Sequence, residues 1–558
     1  MLSCWKKNGG PVKHIWGNEY AVQELLNDLQ GVDFFVAQNA KMELKWLSRA
    51  GADLHHLLPF DTMLAEYTLL GNRREPLHLG ALSSKYGYGV KDKYVDGLMN
   101  TGVCPSEMPQ GLLLQRCVKD VLQTEAVFKK QRMLLVQQKK LKPFFTKCIV
   151  APALADIEMR GMTLDPQRVR AEWAAEHEAS QKNEQEIVAL VGEVNMNSPK
   201  QVADLLYNKL QFKPLKVKGK PVFGTDRLTI SKLTPETDEQ RKFLELKLKQ
   251  SQHDANLSKA LDKFKECVDN DDVLLGIFNQ AVAQTHRLSS SGTKYRVQFQ
   301  NMARRYKTLF RARRKGWLIG EPDGAQIEFR VAAFNGQDKT AYDSILNGED
   351  VHQFTSDTLT AAGQPTDRQN AKAHTFKPLY GGMSGTKAEQ AYYAAFREKY
   401  PGIAGAQERW KQTVLRFKKL RLPTGLEFFW PDTAQSRDGY ISNSTQICNY
   451  PVQYLATAEI VPIALMRLWH DMYVLGMQSF LVNTVHDSAV AELHPDEVEL
   501  FHETAVKAFT EYVYFYLDYL YGIKFNVPLG VGFKAGEYWS AGKEIKTQVV
   551  PPYPAPTG

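Results

Sequence analysis

Two runs of strand-forming residues, Phe480-Leu481-Val482-Asn483-Thr484-Val485 and Ala489-Val490-Ala491, stand only three residues apart. A gap that short leaves no room for a crossover, so the runs can pair only as an antiparallel hairpin. His486-Asp487-Ser488 is then the connection, and Asp487 lies at its tip. A second aspartate stands in a comparable place. Trp317-Leu318-Ile319-Gly320 reads as a short apolar strand, Asp323 follows it, and Ala325–Phe334 has helical composition, which puts Asp323 at the rim of a sheet. Two carboxylates offered from neighbouring strands can hold a pair of Mg2+ ions, or Mn2+ in their place. Hard oxygen ligands suit these cations, one ion activating an attacking hydroxyl and the other neutralising leaving phosphate oxygens. Taken singly, either residue is better explained as a turn aspartate.

A third segment bears on that choice. Arg368, Lys372, Phe376 and Tyr380 recur every four residues, so on a helix they follow one another along a slowly drifting stripe, cationic at one end and aromatic at the other. The cations suit a triphosphate and the rings suit a base and sugar. A solvated basic face ending in a buried aromatic pair gives the same pattern. Pro378 predicts a kink.

The 558 residues allow several domains, and 43% hydrophobic with 24% charged content excludes wholesale disorder. No uncharged apolar run reaches the eighteen or so residues of a membrane span, and the first residues lack the apolar core of a signal peptide, so an intracellular protein is expected. The six cysteines form no CxxC and no Cys/His cluster, which argues against a disulfide framework and a structural zinc. A net charge of +8 favours a polyanionic partner, weakly. Along the chain, residues 1 to about 130 alternate strand-like runs (Leu2–Trp5, His14–Trp16, Asp33–Ala37) with a helix at Val22–Leu29, the pattern of an α/β domain. From about 131 to 275, long amphipathic helices, among them Asp238–Lys249 and Asn256–Cys267, predict an extended arm interrupted at Lys213–Gly224. Lys242, Lys247, Lys249, Lys259, Lys263 and Lys265 suit phosphate contacts along a duplex, or else a solvated helix face. The Pro-rich tail Val549–Gly558 is expected to be disordered.

In order and spacing, the acidic and cationic segments resemble the motifs of family A, the polymerase I family of DNA polymerases, over about Asp156 to Trp539. Asp323-Gly324-Ala325-Gln326-Ile327-Glu328-Phe329-Arg330 resembles motif A, usually Asp-Tyr-Ser-Gln-Ile-Glu-Leu-Arg. Arg368–Gly381 resembles motif B, and Val485-His486-Asp487-Ser488 resembles motif C with Ser488 for the usual Glu. Supporting matches are Arg287-Leu288-Ser289-Ser290 with Gln300-Asn301, Asp350-Val351-His352, Asn197–Gln201 and Asn449-Tyr450-Pro451-Val452-Gln453. Lys377-Pro378 and Tyr454 look like a phage-type member. The resemblance implies an α/β multidomain protein whose residues 131–558 form a right-hand polymerase, with a thumb near 170–275, fingers near 346–430 and a palm from the remainder.

Roles then follow position by position. Asp323 and Asp487 would be the catalytic metal ligands. Arg368, Lys372, Phe376, Tyr380 and His352 would bind the nucleotide, and Glu328 would stand where the family excludes a 2′-hydroxyl. Arg287, Asn301, Asn449, Gln453, His486 and Lys259 would contact primer or template, while Thr445 stands where the family often has an arginine. Implied partners are primer-template DNA, dNTPs and replication accessory proteins. The implied setting is a monomer in phage DNA replication, hence the host cytoplasm. A catalytically silent nucleic-acid-binding scaffold is the alternative of another class, but it has no need of four charged groups, Asp323, Asp487, Arg368 and Lys372, converging on one cleft. A polymerase that also copies RNA is a further alternative.

Residues 1–130 resemble the family's RNase H-like 3′–5′ exonuclease domain, incompletely. Asn39-Ala40-Lys41-Met42-Glu43 looks like its second motif with Glu43 for Asp, Phe60-Asp61-Thr62 is a later landmark, and Asp120 is the third-motif carboxylate, with Arg116 where a tyrosine is usual. The first motif, Asp-x-Glu on the opening strand, is missing, because Leu2–Trp5 reads as the strand that would follow it. The domain is expected to lack its first strand, as a degenerate relic or through loss of the natural start, and to be inactive. Asp33 and Asp61 are the alternative sources of a missing ligand.

Overall fold

The hairpin that the sequence demands is the edge of the largest sheet. In the computed structural model, which describes residues 2–18, 22–89, 94–217 and 219–552, strands Phe480–Val485 and Ser488–Leu493 pair antiparallel. Strands Leu318–Gly324, Leu529–Gly536 and Lys543–Val550 extend them in that order into five. Register puts Asp323 opposite Ser488 on one side and Gly532 on the other, so Asp323 stands on the strand beside the turn that carries Asp487. The register leaves little freedom. Sliding by one residue would flip the buried Ile319, Ala491 and Leu493 to the opposite face, away from the neighbours each packs on.

Helix Leu141–Arg160 explains why the sheet and the N-terminal region form one body. Most of its residues are buried, and it packs against Val461–Val474 on the sheet side and Lys41–Arg49 on the N-terminal side. Val150, Leu154 and Ile157 are fully buried, and each such side chain contributes about 1.5–3 kcal/mol relative to exposure. The N-terminal region itself pairs Leu2–Lys6 with Val12–Trp16 antiparallel and Phe35–Ala37 with Pro59–Asp61 parallel, against the long helix Gln110–Gln137.

The amphipathic segments form the expected arm. Pro166–Val191 packs along Asp238–Asn256, which continues through a π-helical turn, Leu257–Leu261, into Asp262–Val268. Ile187, Val202, Leu206 and Phe243 give the arm a small core of its own, separate from the main one. The Lys213–Gly224 interruption contains the hairpin Leu215–Val217 with Lys220–Val222.

A helical lobe follows, with Val351–Ala361, Arg368–Leu379, Lys387–Lys399 and Pro401–Phe417. Pro378 falls in the last turn of Arg368–Leu379, so it accompanies the end of the helix instead of kinking its middle. The tail reading also shifts. Val549 and Val550 complete the sheet's edge strand, where Val550 accepts a hydrogen bond from the Tyr514 hydroxyl at 2.8 Å, and residues 553–558 lie outside the described residues. Among the described residues, no helix is long and apolar enough to cross a membrane.

Candidate active site

A tight turn gives Asp487 its position. His486 has φ +56°, a left-handed conformation that costs a residue other than glycine about 1–3 kcal/mol. Gln300 holds the turn in place: its Oε1 accepts from the His486 N–H at 2.9 Å, while its Nε2 donates to the Thr484 carbonyl at 2.9 Å. Gly324 leaves room for the Ile327 side chain of the helix that follows. Its N–H donates to the Asp487 carbonyl at 3.0 Å, and a Cβ there would meet Ile327 Cδ1 at 2.1 Å. The result is that the Asp323 and Asp487 carboxyl groups lie within hydrogen-bonding reach of one another.

The electrostatics of this pair follow from its surroundings. Burial pushes the Asp323 carboxyl up, with the Glu321 charge adding to it. Burial and then the Asp323 charge push Asp487 well above the usual carboxylate range. Solvent still reaches Asp323 and one edge of Asp487, so the pair stays open to the cleft. Two carboxyl groups that repel each other, with an open side and few protein donors, fit divalent cations. Among the described residues, no group of three or more His, Cys, Asp or Glu is arranged to hold a metal, so a cation here would have only these two as protein ligands.

Cations and rings face the pair from the helical lobe. Lys372 is exposed, and its charge acts on Asp323. Arg368 pairs with Asp350, the N-cap of helix Val351–Ala361, so it must exchange partners to hold a phosphate. Phe376 and Tyr380 stack at 5.9 Å between centroids, and Phe376 lies 6.0 Å from the His352 ring. His352 is buried and hydrogen-bonded to Thr375 Oγ1 at 3.0 Å, which makes it a support for the Phe376 ring in this structure. The Tyr380 hydroxyl donates to Glu328 at 2.6 Å. Burial raises the Glu328 carboxyl, and Arg287 opposes that rise. Arg287 also acts on Tyr380 and His486, and Gln453 is in hydrogen-bonding reach of Tyr380. Asn449, on the same Ser444–Gln453 helix as Gln453, has a buried Oδ1 with no hydrogen-bond partner. Arg287, Glu328, Tyr380, Gln453 and His486 are thus brought together.

Other residues singled out in the sequence lie elsewhere. Asn301 is exposed and donates to Gln298 within its own turn at 2.7 Å; its neighbour Gln300 carries the contact to the hairpin. Lys259 and Lys249 are exposed on the arm. Lys247 is buried and donates to the Met196 carbonyl at 3.0 Å, so it is not a phosphate contact. Sequence reasoning missed Glu321 and Lys307. Glu321 lies two residues before Asp323 on the same strand, hence on the same face. It accepts from Lys307 at 3.0 Å, from Ser540 at 3.0 Å and, more distantly, from Ser488 at 3.5 Å. That period-two spacing was the available signal.

The N-terminal acids are arranged differently. Asp61 is buried and accepts from the backbone N–H groups of Asn39, Ala40 and Met63 at 3.0, 2.9 and 2.8 Å. Its hydrogen-bonding capacity is taken up in capping helix Thr62–Leu70. Crowding by protein, with Asp61 nearby, pushes the Glu43 carboxyl up to about 7, although its edge is solvent-exposed. Asp120 faces Arg116 at 3.8 Å, and Arg116 in turn pairs with Asp96.

Comparison with known proteins bears on the family and the fold. A family model described as DNA polymerase family A matches residues 167–541. DNA polymerase I of Synechocystis sp. is 26% identical over 96% of the chain and 56% of its own length. That of Aquifex aeolicus is 26% identical over 86% of the chain and 85% of its own length, and that of Geobacillus stearothermophilus 27% over 88% and 57%. The chain therefore spans little more than half of two of these three relatives. Among solved structures, the POL domain of Pol1 from M. smegmatis in complex with DNA primer-template and dNTP superposes with a TM-score of 0.76 at 20% identity, covering 93% of this chain and 88% of that one. At that identity the likeness concerns the fold.

Proposed function

This chain belongs to DNA polymerase family A and has its right-hand fold, and from that premise we propose that it extends the 3′ end of a DNA primer along a DNA template with dNTPs. The observation that carries the reading is the Asp323–Asp487 pair, one on a strand and the other in the adjoining hairpin turn, open to a cleft that Lys372 and the Tyr380–Glu328 pair face. The five-stranded sheet is the palm, the lobe about 346–430 the fingers, and the arm about 170–275 the thumb.

In this reading Asp323 and Asp487 hold two divalent cations, Mg2+ in the first instance. When bound, these would supply the Lewis acidity that makes the primer 3′-hydroxyl a nucleophile and stabilises the departing pyrophosphate. The remaining work falls to the chain itself. Lys372 and Arg368 grip the triphosphate, Arg368 after leaving Asp350. Phe376 and Tyr380 pack on base and sugar, and the Tyr380 hydroxyl fixes Glu328 where a ribose 2′-hydroxyl would lie. Arg287, Gln453, Asn449 and His486 line the side where the primer terminus and its template partner would sit. The setting we infer is phage DNA replication, on the strength of Lys377-Pro378 and Tyr454, with template DNA placing the protein inside the cell.

Primer extension on a defined template, with and without Mg2+, tests the reading. Mg2+-dependent addition of the templated dNTP is expected. No addition with either cation, Mg2+ or Mn2+, alongside intact DNA binding, would favour the silent scaffold. Equal rates on RNA and DNA templates would widen the substrate class.

A further inference from the structure

A basic notch lies between the N-terminal region and the helical lobe, away from the aspartate pair. It is an open notch of about 690 Å³ whose lining includes Arg73, Lys139, Lys419, Arg421, Glu427 and Phe429. Four cationic side chains there meet one carboxylate, so three positive charges stay unbalanced. Glu427 is already engaged by Lys419 at 2.9 Å and by Arg421 and Lys140 at 3.6 Å each. Any further negative charge the notch attracts must come from outside.

The walls are fixed before a ligand arrives. Asn72 clips one wall to the other, its Nδ2 donating to the Phe429 carbonyl at 2.9 Å and its Oδ1 accepting from the Phe429 N–H at 2.7 Å. The Arg421 guanidinium donates to the carbonyls of Gln138 and Lys139 at 3.1 and 3.2 Å. The Arg73 guanidinium carbon lies 4.3 Å from the Phe429 ring centroid while the group donates to the carbonyls of Leu70 and Leu69 at 3.0 and 3.3 Å. An arginine over an aromatic ring at this distance is a group on which an unpaired base can stack. Pockets of this size hold small ligands; one or two nucleotides of a single strand fit, and a duplex does not.

Position ties the notch to the proposed reaction. Phe428, on the same Glu427–Phe429 strand, packs edge-on against Tyr450 and Tyr454 at 5.2 and 6.0 Å. Those residues belong to the stretch that carries Asn449 and Gln453. One short hairpin therefore has the notch on one side and the helix proposed to meet the template on the other. We infer that the notch defined by Arg73, Lys139, Lys419 and Arg421 binds the phosphodiester backbone of single-stranded DNA next to the polymerase cleft. This strand is either uncopied template or a strand displaced ahead of the primer. The inference rests on the polymerase reading for its ligand.

The experiment measures wild type and Lys139→Ala/Lys419→Ala by fluorescence anisotropy over a salt series on three labelled DNAs. These are a primer-template with a one-nucleotide 5′ overhang, one with a twelve-nucleotide 5′ overhang, and a fork with a displaced 5′ flap. Affinity for the long overhang, the flap or both should fall about fivefold to tenfold, and the salt slope on that DNA should flatten by about 1.4, two single-strand phosphate contacts at ~0.7 each. The one-nucleotide overhang should change by less than about twofold. Loss on the overhang alone assigns the notch to template, and loss on the flap alone to the displaced strand. Equal loss on all three DNAs, or no loss on any, would overturn the inference. So would an unchanged overhang dependence in a protein whose notch instead binds polyglutamate, which would point to an acidic protein segment. Lys419→Arg, which keeps the charge, should restore affinity. Wild type that fails to extend any primer would defeat the polymerase reading instead, so the two failures are separable.

Discussion

The two ends of the molecule carry acidic residues that a sequence pattern groups together, and the fold treats them in opposite ways. In the sheet, Asp323 and Asp487 are pressed together with little protein to satisfy them and with solvent on one side. In the N-terminal region, Asp61 is buried under three backbone N–H groups, and Asp120 faces Arg116. A carboxylate whose lone pairs are filled by backbone donors is structural, whatever motif it stands in. One left short of donors beside a like charge has a standing affinity for cations. The difference lies in satisfaction by protein, not in residue type.

The sharpest way to break that comparison is to remove acids from each end. Asp323→Ala or Asp487→Ala should slow nucleotide addition on the order of a thousandfold or more, ~4 kcal/mol of barrier, with primer-template affinity within about twofold. Because each change also removes a repulsive neighbour, the melting temperature should stay level or rise. Near-normal extension would remove the pair from the chemistry. The N-terminal end should give the reverse. Wild type should degrade a 3′-labelled single strand at least on the order of a hundredfold more slowly than it extends a primer, since Glu43 and Asp120 alone are too few to hold two cations. Efficient degradation, lost on Asp120→Ala, would show a complete second site. Asp61→Ala should leave extension per folded molecule unchanged and cost about 2–3 kcal/mol of stability, read by denaturant unfolding, because it strands buried N–H groups and removes a helix cap.

A smaller effect tests whether the nucleotide end of the cleft is assigned correctly. Glu328→Ala should raise ribonucleotide incorporation about tenfold to a hundredfold relative to dNTPs, the 1–3 kcal/mol that one lost steric contact supplies. Phe376→Tyr should ease dideoxynucleotide use, and competition assays read both ratios. Unchanged ratios would move the sugar pocket away from the Tyr380–Glu328 pair.

The parts of this site that were legible in sequence are those that short-range geometry forces. A three-residue gap compelled the hairpin and so the tip position of Asp487, and the strand-then-helix pattern put Asp323 at the rim. The four-residue stripe brought Lys372 and Tyr380 to one side of one helix. What was illegible depends on partners distant in the chain. Lys247 matched an exposed lysine in pattern but is buried against a carbonyl fifty-one residues away. Arg368 is occupied by Asp350, and Gln300, not Asn301, locks the hairpin tip through contacts some 185 residues apart. Asp61 looked like a spare ligand because nothing local reveals that three N–H groups converge on it. Periodicity reports which face a residue shares and says nothing of what meets that face.

The seam between the two ends supplies the smallest effect, through pH. His286 is buried, stacked on Tyr67 at 4.1 Å and hydrogen-bonded to the Gly71 carbonyl at 2.9 Å; burial, with the Lys147 charge, holds its pKa well below 6.5. His55 is sandwiched between Trp469 at 3.6 Å and Tyr473 at 3.9 Å, and burial, against the opposing Asp53 charge, lowers it to about 4. Both join the N-terminal region to the rest of the molecule, and both are neutral when folded. The sign follows from linkage. With folded pKa values below the unfolded value near 6.5, the unfolded chain binds more protons as pH falls below that value, so this contribution to stability is full above about pH 6.5 and is lost on acidification. Asp61 and Glu459, raised by burial, work the other way in the acid range, so wild type alone is a poor test. The difference between wild type and His55→Phe cancels them, because the phenyl ring keeps the stack and removes the titration. From pH 7 to pH 5, the melting temperature of His55→Phe should fall less than that of wild type by about 1 °C, the scale of ~1 kcal/mol in a chain of 558 residues. Extension rates at pH 7.5 should not differ. Parallel pH profiles for the two proteins would mean that the seam is held by packing alone.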